Sequence, residues 1–550
     1  MQQDLKTEFP TTNKPLFLLS FAFIVFLAIL KFYALPKYLD IGLSDEADYM
    51  KNGLKILANI SPNWGPFYGL WYKFLYFFVS SPIDLYYLNY IVIALWLALP
   101  LFVLLVRMQL NLAVALFIAV CFLINPINIL LMPKVCHFII GVLLIALIIT
   151  TYIQSIERKL MVLVLAVYFC AYARLEAYLA FLIFSVWLIF YLIKNRNSIT
   201  KNSFLLFFMV VIVLVICHFT LSFPNDNIKG YDRSFVAFTQ HYIGYEIVYK
   251  QKLKISGLQT MLLKYTEIYF KDCHNMTDVI IKYPMRVVEY VFFNIKQLLV
   301  LIPFGSLTLL APFSSMKRTK VSLLCTALFF LVLFFIVLRK KENRIEIKSF
   351  IKKYQFVYFS LCVFALPSFI SCVLIAPRLH YLLIAILPVI FLLIAVFSTI
   401  KLNDKLVFLL FVASAFLLPS IKNYSLMAFS VSGKSNDGAN KLLVNFINTN
   451  YQQKPKNVLT FVNGVVAYLK NNNQEFNTYD LQISKQKFAD FIQKNAIDLI
   501  VMPTKMNEME EFKSDTSWHH FYDNYKLYGF SYNKTIDKIT NVEVDVLVKE

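Results

Sequence analysis

Residues 16–50 read LFLLSFAFIVFLAILKFYALPKYLDIGLSDEADYM. The first part is an unbroken apolar run, and the last part holds three acids in four positions, Asp45, Glu46 and Asp48. A bilayer core about 30 Å thick is crossed by about 20 apolar residues in a helix rising 1.5 Å per residue. The run from Leu16 is followed by Lys31 and bulky residues and lacks a small-residue cleavage site. It is therefore predicted to be a retained helix and not a signal peptide. Comparable runs recur near 84–106, 111–126, 134–153, 160–173, 175–193, 202–222, 291–312, 321–338, 354–376, 379–399 and 405–421. The chain reads as a polytopic α-helical membrane protein with about 11–13 transmembrane helices.

Composition agrees. The 550 residues are 59% hydrophobic, against about 45–50% in soluble domains. The net charge of +20 would suggest nucleic acid in a soluble protein. Here Lys and Arg lie in short clusters between apolar runs, as the positive-inside rule expects, so nucleic acid is not an expected partner. With the N-terminus cytoplasmic, Arg107, Arg158, Lys159, Lys194, Arg196 and Lys201 fall inside, with the cluster RKKENRIEIKSFIKK at 339–353. The loops 36–83 and 223–290, Arg378 and the C-terminal segment fall outside. The two halves of this count disagree by one crossing in 291–338. Either 291–312, which contains Pro303 and Pro312, is partly interfacial or re-entrant, or a span is miscounted. The abundance of Lys, Asn, Ile and Phe points to an AT-rich bacterial genome, and so to a bacterial cytoplasmic (inner) membrane.

From about residue 426 the composition becomes that of a soluble domain. NVLTFV (457–462), DLIVMP (498–503) and VEVDVLV (542–548) are strand candidates, with the helical SKQKFADFIQKNA (484–496) among them. This predicts a division into a membrane domain, 1–425, and a small extracytoplasmic α/β domain, 426–550. The tail has no phosphate-binding glycine loop. The eight cysteines are scattered without metal-ligand spacing.

From Glu46 to Ala58 the apolar residues Ala47, Met50, Leu54 and Leu57 lie three or four apart. That is an amphipathic helix lying on the membrane, whose first acids could act only as a cap, from Ser44 or Asp45, and as partners of the helix dipole. Downstream comes WGPFYGLWYKFLYFF (64–78), a Gly-Pro followed by aromatics at helical spacing.

An acidic motif after the first span, then a Pro-aromatic stretch, resembles the GT-C superfamily of membrane glycosyltransferases. Within it, the motifs are similar to those of bacterial protein mannosyltransferase-like enzymes and lipid A aminoarabinose transferases. YARLEAYLAF (172–181) looks like that family's R-x-E element, and PRLHYLLIAILP (377–388) like its P-R-Y…P element, with Leu379 and His380 intervening before Tyr381. The resemblance covers about residues 15–425. It implies transfer of a sugar from a polyprenyl phosphate or diphosphate to a lipid, glycan or protein acceptor, with inversion, on the outer membrane face. It implies Asp45, then Glu46, as the carboxylate that takes the acceptor's proton. Arg174 and Arg378 would hold the donor phosphate, because the guanidinium fork matches phosphate oxygens. Glu176, His380 and Tyr381 would complete the substrate site. Some relatives use a divalent cation, and Glu46 with Asp48 would supply hard oxygen ligands for Mg or Mn.

Each residue also has a plainer reading. Arg174 and Glu176 are two apart, so on a helix they would not face each other, and a mutual salt bridge is not expected. Arg174 could instead snorkel to water, and Arg378 could be an interfacial anchor. Lys55 and Lys73 read as solvated. Two other functions compete. A polysaccharide or glycolipid transporter would show repeat symmetry and charges deep in several helices, and neither is present. A polysaccharide polymerase or ligase would place catalytic Arg or His in the 223–290 loop, where Arg233 and His241 lie.

Overall fold

The computed structural model describes residues 14–251, 262–310, 332–399, 405, 408–409 and 439–550, with short interruptions, among them 61–64, 129–131, 222–226 and 504–511. Among the described residues seven helices are long and apolar enough to cross a membrane, or eight if a bent pair counts as one span. They are α1 (Lys14–Phe32), α4 (Pro82–Arg107), α6 (Val135–Tyr152), α8 (Ala177–Lys194), α9 (Lys201–Leu221), α13 (Pro284–Leu310) and α15 (Gln355–Leu374), with the pair α16 (Leu379–Ala385) and α17 (Leu387–Phe397), bent by 48°. Pro388, at the start of α17, suits that break, since proline cannot continue the preceding helix's hydrogen bonds. Two shorter helices, α5 (Leu112–Ile124) and α7 (Ile156–Ala171), match two further expected spans. All but Lys405, Phe408 and Leu409 of the expected span at 405–421, and most of 321–338, lie outside the described residues, as does the expected domain boundary near 425. Helix α13 runs unbroken through Pro303. That leaves no re-entrant turn within 291–310, because a single proline costs a helix one hydrogen bond without ending it when neighbours support the flanking turns; Pro312 lies outside the described residues.

Charges sort to the two ends of the bundle. Arg107 Nε donates to Thr151 Oγ1 at 3.3 Å, and Arg158 Nε donates to Ser203 Oγ at 3.0 Å. Lys353, at the end of the basic helix α14 (Lys341–Lys353), reaches Gln109. The cluster 339–353 therefore sits at the same end as Arg107, as the charge pattern predicts. The opposite end carries the amphipathic helices α2 (Asp45–Lys55) and α3 (Pro66–Leu75), and α10 (Arg233–Gly244), α11 (Leu262–Tyr269) and α12 (Met276–Lys282) of the second long loop. Phe238, Tyr242, Phe270 and Tyr290 pack that loop into an aromatic cluster.

The tail holds α18 (Ala439–Asn450) and a five-stranded sheet of β1 (Asn457–Thr460), β2 (Gln474–Asn477), β3 (Leu499–Pro503), β4 (Phe530–Ile536) and β5 (Glu543–Lys549), in the order β2-β1-β3-β5-β4. The first three strands run parallel, and β5 pairs antiparallel with both neighbours. The tail docks on the end of the bundle that carries α2. Asp40 accepts the first backbone N–H groups of α18, from Asn440 at 2.9 Å and Lys441 at 3.0 Å. Tyr468 Oη donates to the Gly42 carbonyl at 2.7 Å, and Lys51 pairs with Glu475 at 2.7 Å. Helix α2 is thus clamped between the tail and α3.

Candidate functional site

Successive residues of a helix point about 100° apart, and at the start of α2 this sends the three acids in different directions. Asp45 is exposed. Glu46 is 2% exposed and faces the bundle. Its Oε1 accepts from Tyr68 Oη at 2.6 Å, Asn89 Nδ2 at 2.9 Å and the Tyr72 hydroxyl, and its Oε2 accepts the Lys134 backbone N–H at 2.6 Å. Burial pushes the Glu46 pKa up, while these donors and the Lys134 charge pull it back. Both oxygens are occupied, so Glu46 is a framework carboxylate that ties α2 to α3, α4 and the entry to α6. Asp48 faces the tail. Burial raises its pKa to about 7, the Glu475 and Asp45 charges push the same way, and Lys51 opposes them. Glu46 and Asp48 therefore do not form a common cation cradle. Among the described residues no group of three or more His, Cys, Asp or Glu could hold a metal ion. The residues present do not fit the divalent cation that the acidic motif suggested.

A cleft of about 400 Å³ opens at this same end. Arg174 and Glu176 enter it from the turn between α7 and α8, Arg233 from α10, Tyr49 from α2 and Tyr381 from α16. Ile370, Leu374 and Ile375, at the end of α15, form an apolar wall. The helical rule that argued against an Arg174–Glu176 pair does not apply, because α7 stops at Ala171 and α8 starts at Ala177. In the intervening turn Arg174 Nη2 lies 2.6 Å from Glu176 Oε1, which corrects that expectation. Arg174 also hydrogen-bonds Tyr49, and its guanidinium lies 4.8 Å from the Tyr381 ring centroid. Burial alone would lower the Arg174 pKa, but Glu176 and Tyr381 raise it well above the ordinary value. Burial alone would raise Glu176, but Arg174 holds it below the ordinary carboxylate range. Both stay charged. Arg233 opens α10, where Asp232 Oδ1 caps the helix by accepting the Ser234 N–H at 3.0 Å. The Arg233 charge acts on the same partners, Tyr49, Arg174, Glu176 and Tyr381.

Asp45 stands one helical turn before Tyr49, and its charge, with those of Arg174 and Arg233, is felt at the Tyr49 hydroxyl. Arg378 does not line the cleft. Its Nε donates to His241 Nε2 on α10, and burial and the Arg378 charge lower the His241 pKa to about 3, leaving a neutral acceptor. His380 is buried, with its ring centroid 4.4 Å from that of Tyr381. The structure thus brings Arg174, Glu176 and Tyr381 into one cleft, sets Asp45, Arg378 and His380 around it, and turns Glu46 and Asp48 elsewhere. Tyr49 is an addition, and Arg233, which the sequence offered only for a polymerase or ligase, joins the same cleft. Tyr49 was recognisable as the residue four after Asp45, on the same helical face.

A second hollow, of about 550 Å³ and almost wholly apolar, runs along α3, α6 and α7 between Phe67, Trp71, Trp96, Phe138 and Phe169. It begins beside the cleft, since Phe67 follows closely on Gly65, a cleft-lining residue.

No protein-family model matches the chain, and no curated protein matches it. Among solved structures the chain is similar to the archaeal oligosaccharyltransferase AglB from Archaeoglobus fulgidus, in complex with an inhibitory peptide and a dolichol-phosphate. The identity is 12% and the TM-score 0.41, over 96% of this chain and 74% of the other.

Proposed function

We propose that the chain is a membrane glycosyltransferase that moves a sugar from a polyprenyl phosphate or diphosphate to an acceptor hydroxyl or amide, with inversion, at the outer face of a bacterial cytoplasmic membrane. One observation carries this reading: Arg174 and Arg233 converge in one cleft that, among the described residues, contains one carboxylate, Glu176. The cleft lining is formally cationic, and a donor phosphate would neutralise it with charge-assisted hydrogen bonds. The prenyl chain would lie in the aromatic hollow that begins beside the cleft.

The chemistry follows from these positions. The acceptor oxygen or nitrogen attacks the sugar's anomeric carbon from the face opposite the phosphate. The bond from that carbon to the phosphate oxygen breaks, and its electron pair stays on the phosphate. Arg174 and Arg233 stabilise that charge where it develops. Asp45 takes the acceptor's proton. Arg378, held by His241, adds positive potential from the side. Every step uses side chains of this chain alone.

A second reading, a glycan polymerase or ligase, draws on Arg233, which comes from the long 223–290 loop. It differs in the acceptor and shares the cationic cleft. The experiment is Asp45→Asn in purified protein supplied with polyprenyl-linked sugars. Loss of transfer by about 10²-fold or more is expected. Transfer at the unaltered rate would remove Asp45 from the reaction.

A further inference from the structure

A third hollow, of about 650 Å³, lies where the tail meets α2. Lys51 and Lys55 line one wall, four residues apart and so on one helical face. Asn445, Asn448 and Thr449 of α18 line the facing wall, and Ser81 closes one end. Tyr76 adds ring surface, and the fully buried Tyr468 packs behind the wall. Among the described residues no Asp or Glu lines it; Glu475 meets Lys51 from outside the hollow. The lining combines ammonium groups, side-chain amides, hydroxyls and an aromatic ring. Ammonium groups meet carboxylate or phosphate, amides and hydroxyls both donate to and accept from sugar hydroxyls, and rings cover the apolar faces of pyranoses.

The hollow and the cleft share α2. Lys55 is ten residues beyond Asp45, about 15 Å along a helix of 1.5 Å rise. An extended saccharide chain lying along α2 would span both. We propose that this hollow binds the acceptor, and that the acceptor is an acidic saccharide carrying carboxylate or phosphate groups. Its reactive end lies at Asp45 and its charged body at Lys51 and Lys55. The tail domain then supplies one wall of the acceptor site. This rests on the transferase reading above, of which it names the acceptor class.

The test measures binding of a soluble hexuronic acid trimer, and of the neutral hexose trimer, to the full-length protein in detergent. The acidic trimer should bind more tightly, with affinity falling as salt is raised. Lys55→Gln should weaken it about tenfold, the loss of one charge-assisted contact. Asn445→Ala, which leaves the Lys51–Glu475 pair intact, should weaken both trimers. Equal binding of the two trimers, or an unchanged affinity in Lys55→Gln, overturns the proposal. Asp45→Asn tests the transferase reading separately, by its rate of sugar transfer and not by trimer binding. If that variant still transfers sugar while binding depends on Lys55, the transferase site is wrong and the saccharide site stands.

Discussion

Arg174 Nη2 lies 2.6 Å from Glu176 Oε1, although one residue separates them in sequence. The contact exists because the chain leaves the helix at Ala171 and re-enters it at Ala177. The Arg174 side chain is 8% exposed and that of Glu176 is 29% exposed. Glu176→Gln leaves a buried guanidinium without its carboxylate. Breaking a fully buried pair costs about 3–5 kcal/mol; with Glu176 partly in water, a loss of about 2 kcal/mol is expected. Thermal unfolding in detergent measures it. An unchanged Tm would show that Arg174 is held by Tyr49 and Tyr381 alone.

This pair also shows what the sequence could and could not reveal. Most spans were legible because apolar runs and basic clusters are local signals; α4, α6 and α9 lie within two residues of the expected bounds. The cleft was half legible. Asp45, Arg174 and Arg378 could be assigned to one end of the bundle from charge alone. The different fates of adjacent acids could not, because the direction Glu46 takes depends on where Tyr68, Tyr72, Asn89 and the Lys134 backbone N–H arrive. Those partners lie 22 to 88 residues away. In the tail, β2 and β4 were missed because QEFN and FSYNKTI are too polar to read as strands.

The adjacent acids should separate by mutation. Glu46→Ala strands the Tyr68 and Tyr72 hydroxyl protons and the Lys134 N–H in a dry interior, while the Asn89 amide keeps the two tyrosine oxygens. Each stranded group costs about 1–3 kcal/mol, so the variant should fail to fold or lose most of its stability. Asp45→Asn changes an exposed side chain and should leave Tm unaltered, with a stability change within about 0.5 kcal/mol. Comparing Tm and transfer rate for both variants checks the division. Equal destabilisation by the two changes would show that Asp45 is also structural.

Gly65 links the cleft to the aromatic hollow. Its φ is +34°, and a Cβ there would lie 2.3 Å from the Ala173 carbonyl oxygen. The backbone of 65–67 is held to the Arg174 turn, since Phe67 N–H donates to the Tyr172 carbonyl at 3.2 Å. Gly65→Ala must push that turn away, and Arg174 with it. The positive φ alone costs an L-residue about 1 kcal/mol or more. A larger effect is expected on function, with donor affinity falling as in Arg174→Ala. Titration of a polyprenyl-phosphate sugar against both variants tests it. Normal affinity in Gly65→Ala would show that the turn yields without moving Arg174.

The tail's attachment should depend on pH through Asp40. Burial raises its pKa to about 6 from the ordinary 3.8, outweighing the backbone N–H groups of Asn440, Lys441 and Ile41 and the Lys441 charge, which all pull it down. The folded chain therefore keeps a proton that the unfolded chain has released. Asp40's contribution to stability is fully present below about pH 4 and is lost as pH rises through about 6, by about 3 kcal/mol in all. Asn at this position cannot ionise. Asp40→Asn loses one acceptor at every pH, a constant offset, because its amide nitrogen cannot take the Asn440 N–H. The informative quantity is the difference between the two stability curves. Wild type should lose stability relative to Asp40→Asn between pH 4 and pH 7, and the curves should run parallel above that range. Urea unfolding of the full-length protein, with the four other tryptophans replaced by Phe so that fluorescence reports Trp518 in the tail core, reads this directly. Curves that stay parallel from pH 4 to pH 7 would show that water reaches Asp40 and that its contact with α18 is not dry.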